Sequence, residues 1–158
     1  MVFDTVFGLP VHVLTVHGVV VALPVVALAA VAVAAYGPWR RRLALPLAVL
    51  AFGTSVLAWV AAESGEAFYQ RLGMPAEALE HTEIGESVYW FALALTAALF
   101  GLGILARRQR VAQAVVAVGA VLVFATAGLL TWRVVLVGHS GSAAVWSQIV
   151  QNTEAPAN

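Results

Sequence analysis

The chain has 158 residues, no cysteine and a formal net charge of zero, with 62% of its residues hydrophobic and 10% charged. A soluble domain carries about 25% charged residues, so lipid must cover part of this surface. The charge balance argues against a nucleic-acid partner. The missing thiols exclude disulfides, thiolate metal ligands and covalent haem attachment.

The opening "MVFDTVFGLP" carries Asp4 and no basic residue. It lacks the basic start of a signal peptide, so the first apolar run is expected to be retained. Crossing a bilayer takes roughly 20 helical residues, and four runs are long enough. They extend from about Val13 to Tyr36, from Leu43 to about Ala62, from about Ser87 to Ala106 and from about Val111 to Leu130. Their backbone groups must pair internally, and their Ala- and Leu-rich sequences do not alternate, so all four are expected to be helices. The fold class is therefore all-α: one integral-membrane four-helix bundle over residues 1–158. Pro24 frees the Val20 carbonyl, which a membrane helix tolerates. "GLGILA" and "VGAVLVFATAG" supply small residues for close helix packing.

Orientation follows from arginine. Arg40, Arg41, Arg42, Arg107, Arg108 and Arg110 lie in the tight connections after spans one and three. The positive-inside rule assigns both connections to the cytoplasm and both termini to the outside, in a multi-pass protein of a bacterial cell membrane. Every acidic residue (Asp4, Glu63, Glu66, Glu77, Glu80, Glu83, Glu86 and Glu154) and every histidine then falls on the outer side. Trp39 suits the inner interface, and Trp90, Trp132 and Trp146 the outer one.

Between spans two and three, "ESGEAFYQRLGMPAEALEHTEIGES" contains one strong breaker, "GMP". Gly73 suits the position after a helix, and Pro75 suits the first turn of the next. Helices two and three are expected to stand taller than the membrane as one hairpin with its tip at residues 73–75. Residues equidistant from that tip would lie side by side, Glu66 facing roughly His81 and Glu63 lying near Ile84 to Glu86. The last stretch, "WSQIVQNTEAPAN", reads as a short interfacial or frayed tail.

Depth counted at roughly 1.5 Å per residue puts His17, Glu63, Glu86 and Arg133 near the outer hydrocarbon boundary. His12, Glu66 and His81 come about one to two turns further out, with His139 at or above that level. With Glu83, these residues form a constellation drawn from all four helices. Neutral imidazole is a common ligand for iron, zinc and copper, and carboxylates add ligands or orient a histidine. His12 and His17, five residues apart, are about 140° apart around a helix, so each addresses a different neighbour. The spacing of four used by zinc proteases is absent, as is the Glu-x-x-His motif of di-iron bundles. All histidines lie near one side, so one haem or one metal centre is the most that fits. Taken singly, each histidine suits an ordinary interfacial position, and Arg133 suits a pairing with Glu63 or Glu86. Taken together, His12, His17, His81 and His139 are candidate haem b ligands. The same histidines with Glu63, Glu66 and Glu86 are candidate ligands for Zn, Cu or Fe. No nucleophile elbow or phosphate loop occurs, so no reaction is assigned.

The layout resembles a known family. A His-x-x-x-x-His opens the first span, "SGE" closes the second, His-x-x-x-Gly-Glu opens the third and "GHSGSAAVW" follows the fourth. These motifs, spread over nearly the whole chain, resemble the bacterial membrane-protein family called domain of unknown function 2231. Its opening usually reads His-Pro-x-x-x-His-Phe-Pro; here Val13 replaces the first proline, and Gly18 and Val19 replace Phe-Pro. The resemblance implies four membrane helices. Some members are joined to Rieske or cytochrome c domains, which implies redox chemistry at the outer face, centred on His12, His17, His81 and His139. The expected function is a cofactor-binding subunit for electron transfer, beside a respiratory or redox membrane complex. The alternatives are a non-catalytic accessory subunit and a pH-responsive carrier or sensor.

Overall fold

A computed structural model describes residues 5–153. Asp4 and Glu154 lie outside these residues. The described chain begins with a feature the hydropathy pattern does not show, a two-stranded hairpin. β1 (Thr5–Val6) pairs antiparallel with β2 (Leu9–Pro10), closed by Phe7 and Gly8 at φ of 51° and 81°. Two consecutive positive φ values give the turn the twist that a two-residue hairpin needs.

Five helices follow. α1 (Val11–Ala35) runs through Pro24, and α2 (Gly37–Arg71) through Pro46. Tyr36 separates them in extended conformation, and Pro38 sits in the first turn of α2, where its missing N–H costs no helical bond. α2 ends at the expected breaker, where Gly73 and Met74 both take positive φ, 80° and 57°. α3 (Ala76–Gly85) is separated from α4 (Val88–Arg107) by the two residues Glu86 and Ser87, whose backbone stays near helical. The Ser87 hydroxyl donates to the Ile84 carbonyl across this break. α5 (Gln113–Asn152) is one helix of 40 residues. The tail expected to fray is helical through Asn152. Within it, Gln148 donates to Glu77 of the segment before α4 at 3.0 Å.

Four helical segments (Val11–Ala35, Gly37–Arg71, Ala76–Arg107 and Gln113–Asn152) are long and apolar enough to cross a membrane, so the chain is a multi-pass membrane protein. At roughly 1.5 Å per residue, α5 spans about 60 Å, twice the ~30 Å of hydrocarbon. α2, α3 and α5 therefore project well beyond the lipid at one end. The helices pack in a square: α2 touches α1 and α4, α5 touches α1 and α4, and α1 and α4 lie on the diagonal. Leu23, Leu95, Leu99, Leu102, Val123 and Leu130 fill the centre among buried alanines such as Ala30, Ala44 and Ala51. Small residues bring the backbones close. A Cβ at Gly103 of α4 would lie 2.7 Å from a Leu45 methyl and 3.2 Å from the Leu45 backbone nitrogen.

The tall hairpin is present, but its arms do not lie flush. α3 packs chiefly on α5 and only sparingly on α2. The break at Glu86 and Ser87 lets α3 swing away from α2, and Gln148 of α5 holds it by donating to Glu77 at 3.0 Å. For this reason His81 departs from the expected pairing about the tip: it is directed to α5, not to Glu66.

Candidate functional site

The bundle has two unlike ends. Six of the eight arginines, Arg40, Arg41, Arg42, Arg107, Arg108 and Arg110, cluster where α1 meets α2 and α4 meets α5. The other end carries all four histidines and the described glutamates. There α1 begins, and α2, α3 and α5 stand beyond their apolar spans.

Two histidines meet at this end. His12, in the first turn of α1, turns inward onto α2, and its Nδ1 lies 2.9 Å from the Ala61 carbonyl oxygen. His81, on α3, turns onto α5, with Nδ1 at 3.1 Å from the Val137 carbonyl oxygen and 3.3 Å from the Ser140 hydroxyl. Ser140 donates in turn to the same Val137 carbonyl. A carbonyl oxygen only accepts, so Nδ1 carries the proton in both rings. With the proton on Nδ1, the lone pair of a neutral ring is on Nε2. The ring centres are 6.1 Å apart and the rings cross at 75°.

Each imidazole lies against a glycine. A Cβ at Gly65 of α2 would sit 2.9 Å from His12 Nδ1, and one at Gly141 of α5 would sit 2.9 Å from His81 Cε1. Phe68, almost one turn beyond Gly65, stacks on His12 at 6.3 Å. Ser64, buried beside Gly65, returns its hydroxyl to the Val60 carbonyl and leaves the pocket to the ring. Gly65, Phe68, Ser140 and Gly141 were not among the candidate residues. Two of the quoted motifs contain three of them: "SGE" supplies Gly65, and "GHSGSAAVW" supplies Ser140 and Gly141.

His81 lies above the break at Glu86 and Ser87, outside the apolar stretch Val88–Arg107 of its segment. Burial holds its imidazole below the ordinary value of 6.5, His12 pushes the same way, and the Val137 carbonyl opposes them. His81 is thereby kept neutral, the form that ligates a metal.

The rest of the constellation divides. His17 is exposed, and its Nδ1 is satisfied by the Val13 carbonyl of its own helix at 2.6 Å. His139 is exposed on α5. Glu63, Glu66, Glu83 and Glu86 line one open cleft of about 420 Å³ with Tyr89 and Trp90; neither His12 nor His81 lines it. Glu63 and Glu86 thus share a site as expected, while Glu66 accepts from Gln70 at 2.8 Å. Arg133 pairs with neither Glu63 nor Glu86. Its guanidinium lies over the Phe91 ring at 5.3 Å, and its buried Nε has no hydrogen-bond partner. Among the described residues, no group of three or more His, Asp and Glu side chains is arranged to hold one metal ion.

The fold defines a four-span integral membrane protein, with two imidazoles brought together at one end of the bundle. The sequence matches the family described as "Predicted membrane protein (DUF2231)" over residues 8–154, and the chain belongs to that family. No curated protein and no solved structure matches it.

Proposed function

We propose that the histidine end binds a transition-metal centre, as a free ion or as the iron of haem b, through Nε2 of His12 and His81, and that the protein serves electron transfer beside a redox membrane complex. The observation that carries this reading is the commitment of both Nδ1–H groups to main-chain carbonyls. Histidines that ligate metals almost always donate their other ring nitrogen in this way, which fixes the tautomer and aims the ring. The spacing agrees. Two imidazoles sharing one metal at ~2.0–2.1 Å per bond put their ring centres about 5 Å apart at a tetrahedral angle and about 6.4 Å apart in line. The observed 6.1 Å lies near the linear end of that range.

Gly65 and Gly141 support the same reading, because each seats a ring that any side chain would displace. Two neutral imidazoles suit Cu, Zn and Fe, and a metal held by them supplies one-electron chemistry when it is Cu or Fe. With two protein donors, the remaining coordination positions fall to solvent, a porphyrin or a partner. His17, His139 and the glutamate cleft stand outside this pair and could tune its surroundings electrostatically.

Purified protein tests the proposal by elemental analysis and visible spectroscopy. One metal per chain is expected, with a Soret band if the metal arrives as haem. His12→Ala and His81→Ala are expected to lose it, and His17→Ala and His139→Ala to keep it. Sub-stoichiometric metal without a Soret band overturns the reading, as does equal loss in all four variants. A second reading, an accessory subunit packed beside a membrane complex, draws on α5. Trp146, Ile149 and Val150 stand exposed there, beyond the apolar span. That reading expects assembly and function to survive all four histidine substitutions.

A further inference from the structure

The opposite end of the bundle carries an inference independent of the histidine pair. An open cavity of about 540 Å³ lies between the connections α1–α2 and α4–α5. It is lined by Arg40, Arg41 and Arg42 from one connection and by Arg108 from the other, with the amides Gln109 and Gln113. None of the described carboxylates lies in either connection; Glu63, Glu66, Glu77, Glu80, Glu83 and Glu86 are all at the other end. Four guanidinium-bearing residues from two separate segments thus share one concavity that holds no acidic side chain. Only Arg40 is committed elsewhere: its Nε donates to Ala34 at 2.6 Å and its Nη2 to Ala35 at 3.3 Å, satisfying the last carbonyls of α1.

We infer that this cavity binds the phosphate headgroup of an anionic phospholipid. Guanidinium and phosphate match as planar donor fork and oxygen pair, and such charge-assisted bonds are strong at a membrane interface. Basic pockets between membrane helices are the recurring form of such sites. The rest of the lining favours lipid over a soluble anion. Leu105, Val111 and Val116 complete the wall with apolar surface, where a glycerol backbone and the start of an acyl chain would rest. Tyr36 and Trp39 meet edge-on at 5.6 Å beside it and are both exposed, the placement of an aromatic belt at headgroup level. The positive ends of α2 and α5 add to the field, since neither helix carries a side-chain cap or an acidic first turn.

The position of the arginines supplies a matched control. Arg108 and Arg110 lie two residues apart in the same connection and carry the same charge, but only Arg108 lines the cavity. Full-length protein in neutral detergent is incubated with equal amounts of phosphatidylglycerol and phosphatidylcholine, and retained lipid is counted by native mass spectrometry. Phosphatidylglycerol is expected to be retained selectively. Arg41→Gln and Arg108→Gln are expected to lower its retention roughly fivefold each, the effect of one interfacial arginine. Arg110→Gln is expected to leave it unchanged, and helix content by circular dichroism is expected to be the same in all variants. Equal losses in Arg108→Gln and Arg110→Gln would reduce the effect to general surface charge and overturn the site. Equal retention of the two lipids overturns it too. Displacement of phosphatidylglycerol by inorganic phosphate at equal concentration overturns the lipid assignment in favour of a soluble anion.

Discussion

Gly141→Ala tests whether the His81 ring is held where its hydrogen bonds place it. The new methyl would lie 2.9 Å from Cε1 and 3.0 Å from Nδ1 of His81, whereas ordinary contact begins at 3.4 Å. The ring must retreat by about 0.5 Å to relieve the overlap. It cannot do so and keep Nδ1 at 3.1 Å from the Val137 oxygen. Forcing a methyl into packed surroundings costs ~1–3 kcal/mol, and losing the hydrogen bond costs about 1 kcal/mol more. Against this, alanine improves on glycine inside a helix by about 1 kcal/mol.

Gly138, three residues earlier on α5, isolates that last effect, because a Cβ there meets nothing within 4 Å. Gly138→Ala is therefore expected to stabilise by about 1 kcal/mol. The gap between the two variants comes to ~2–4 kcal/mol, or roughly 5–15 °C in Tm for a chain of this length. Thermal unfolding in detergent, followed by circular dichroism, measures the gap. Nitrogen NMR of labelled imidazole reports whether His81 keeps its proton on Nδ1; the proton is expected to stay in Gly138→Ala and to redistribute in Gly141→Ala. Equal Tm values for the two variants, with the same His81 tautomer, would refute the close seating of the ring.

Three other outcomes follow from the same contacts. Gly103→Ala brings a methyl to 3.2 Å from the Leu45 backbone nitrogen, which cannot move aside as the leucine methyls can, so it is expected to cost ~1–3 kcal/mol. Gly101→Ala on the same helix meets nothing and is expected to be neutral or better in the same melt. His81, a base held below 6.5, gives a pH dependence of definite sign. The stability of its docking on α5 is fully present above 6.5 and is lost as pH falls through the window below, because the unfolded chain takes up the proton first. Protection factors at α3 amides, which allow for the slower intrinsic exchange in acid, are expected to fall on acidification, and His81→Asn to flatten that dependence. Arg133→Met removes a buried Nε without a partner, worth ~1–3 kcal/mol of penalty, and a cation–π contact worth ~0.5–1 kcal/mol. Its melting point is expected to rise, and a fall would show that Arg133 has a partner in the membrane.

The spans were legible because hydropathy acts locally: a run of twenty apolar residues announces its environment whatever it packs against. The hairpin tip was legible for a similar reason, since Gly73 followed by Met74-Pro75 restricts the backbone at that point. The contact partners of α3 were not. Equal arms about a tip imply flush pairing only if both arms are straight, and α3 breaks from α4 at Glu86 and Ser87. The sequence gives a weak sign of this in Gly85, a poor helix former placed just before the break. The length of α5 was not legible, because hydropathy marks only the span to about Leu130 and says nothing of how far the helix continues. Its serines bond back to Val137 and Gly138, and Gln148 is anchored on α3, so tertiary contact overrides the poor propensity of the segment. Helix phase and depth both separate His12 from His17, and the structure puts the first against α2 and leaves the second exposed. Gly65 and Gly141 could not be read at all, because a glycine's role depends on what faces it.

The placement of the histidine pair follows from the unequal helix lengths. Inside hydrocarbon, a charged centre pays a heavy desolvation cost, and a polar ligand set would have to be complete to survive. At the level of His12, α1 is just beginning, while α2, α3 and α5 have already left their apolar spans. Three walls therefore enclose the rings, and the backbone of α2 and α5 is near enough to accept from both Nδ1 atoms. The apolar bundle below supplies rigidity without having to accommodate polarity. The arginine end has the opposite construction: short connections, no projecting walls, and guanidinium groups around an open cavity. A change at one end reaches the other only through the packed leucine and alanine core, so the two proposed sites are separable. Arg108→Gln is expected to leave the His12–His81 pair intact, and His81→Ala to leave lipid retention intact.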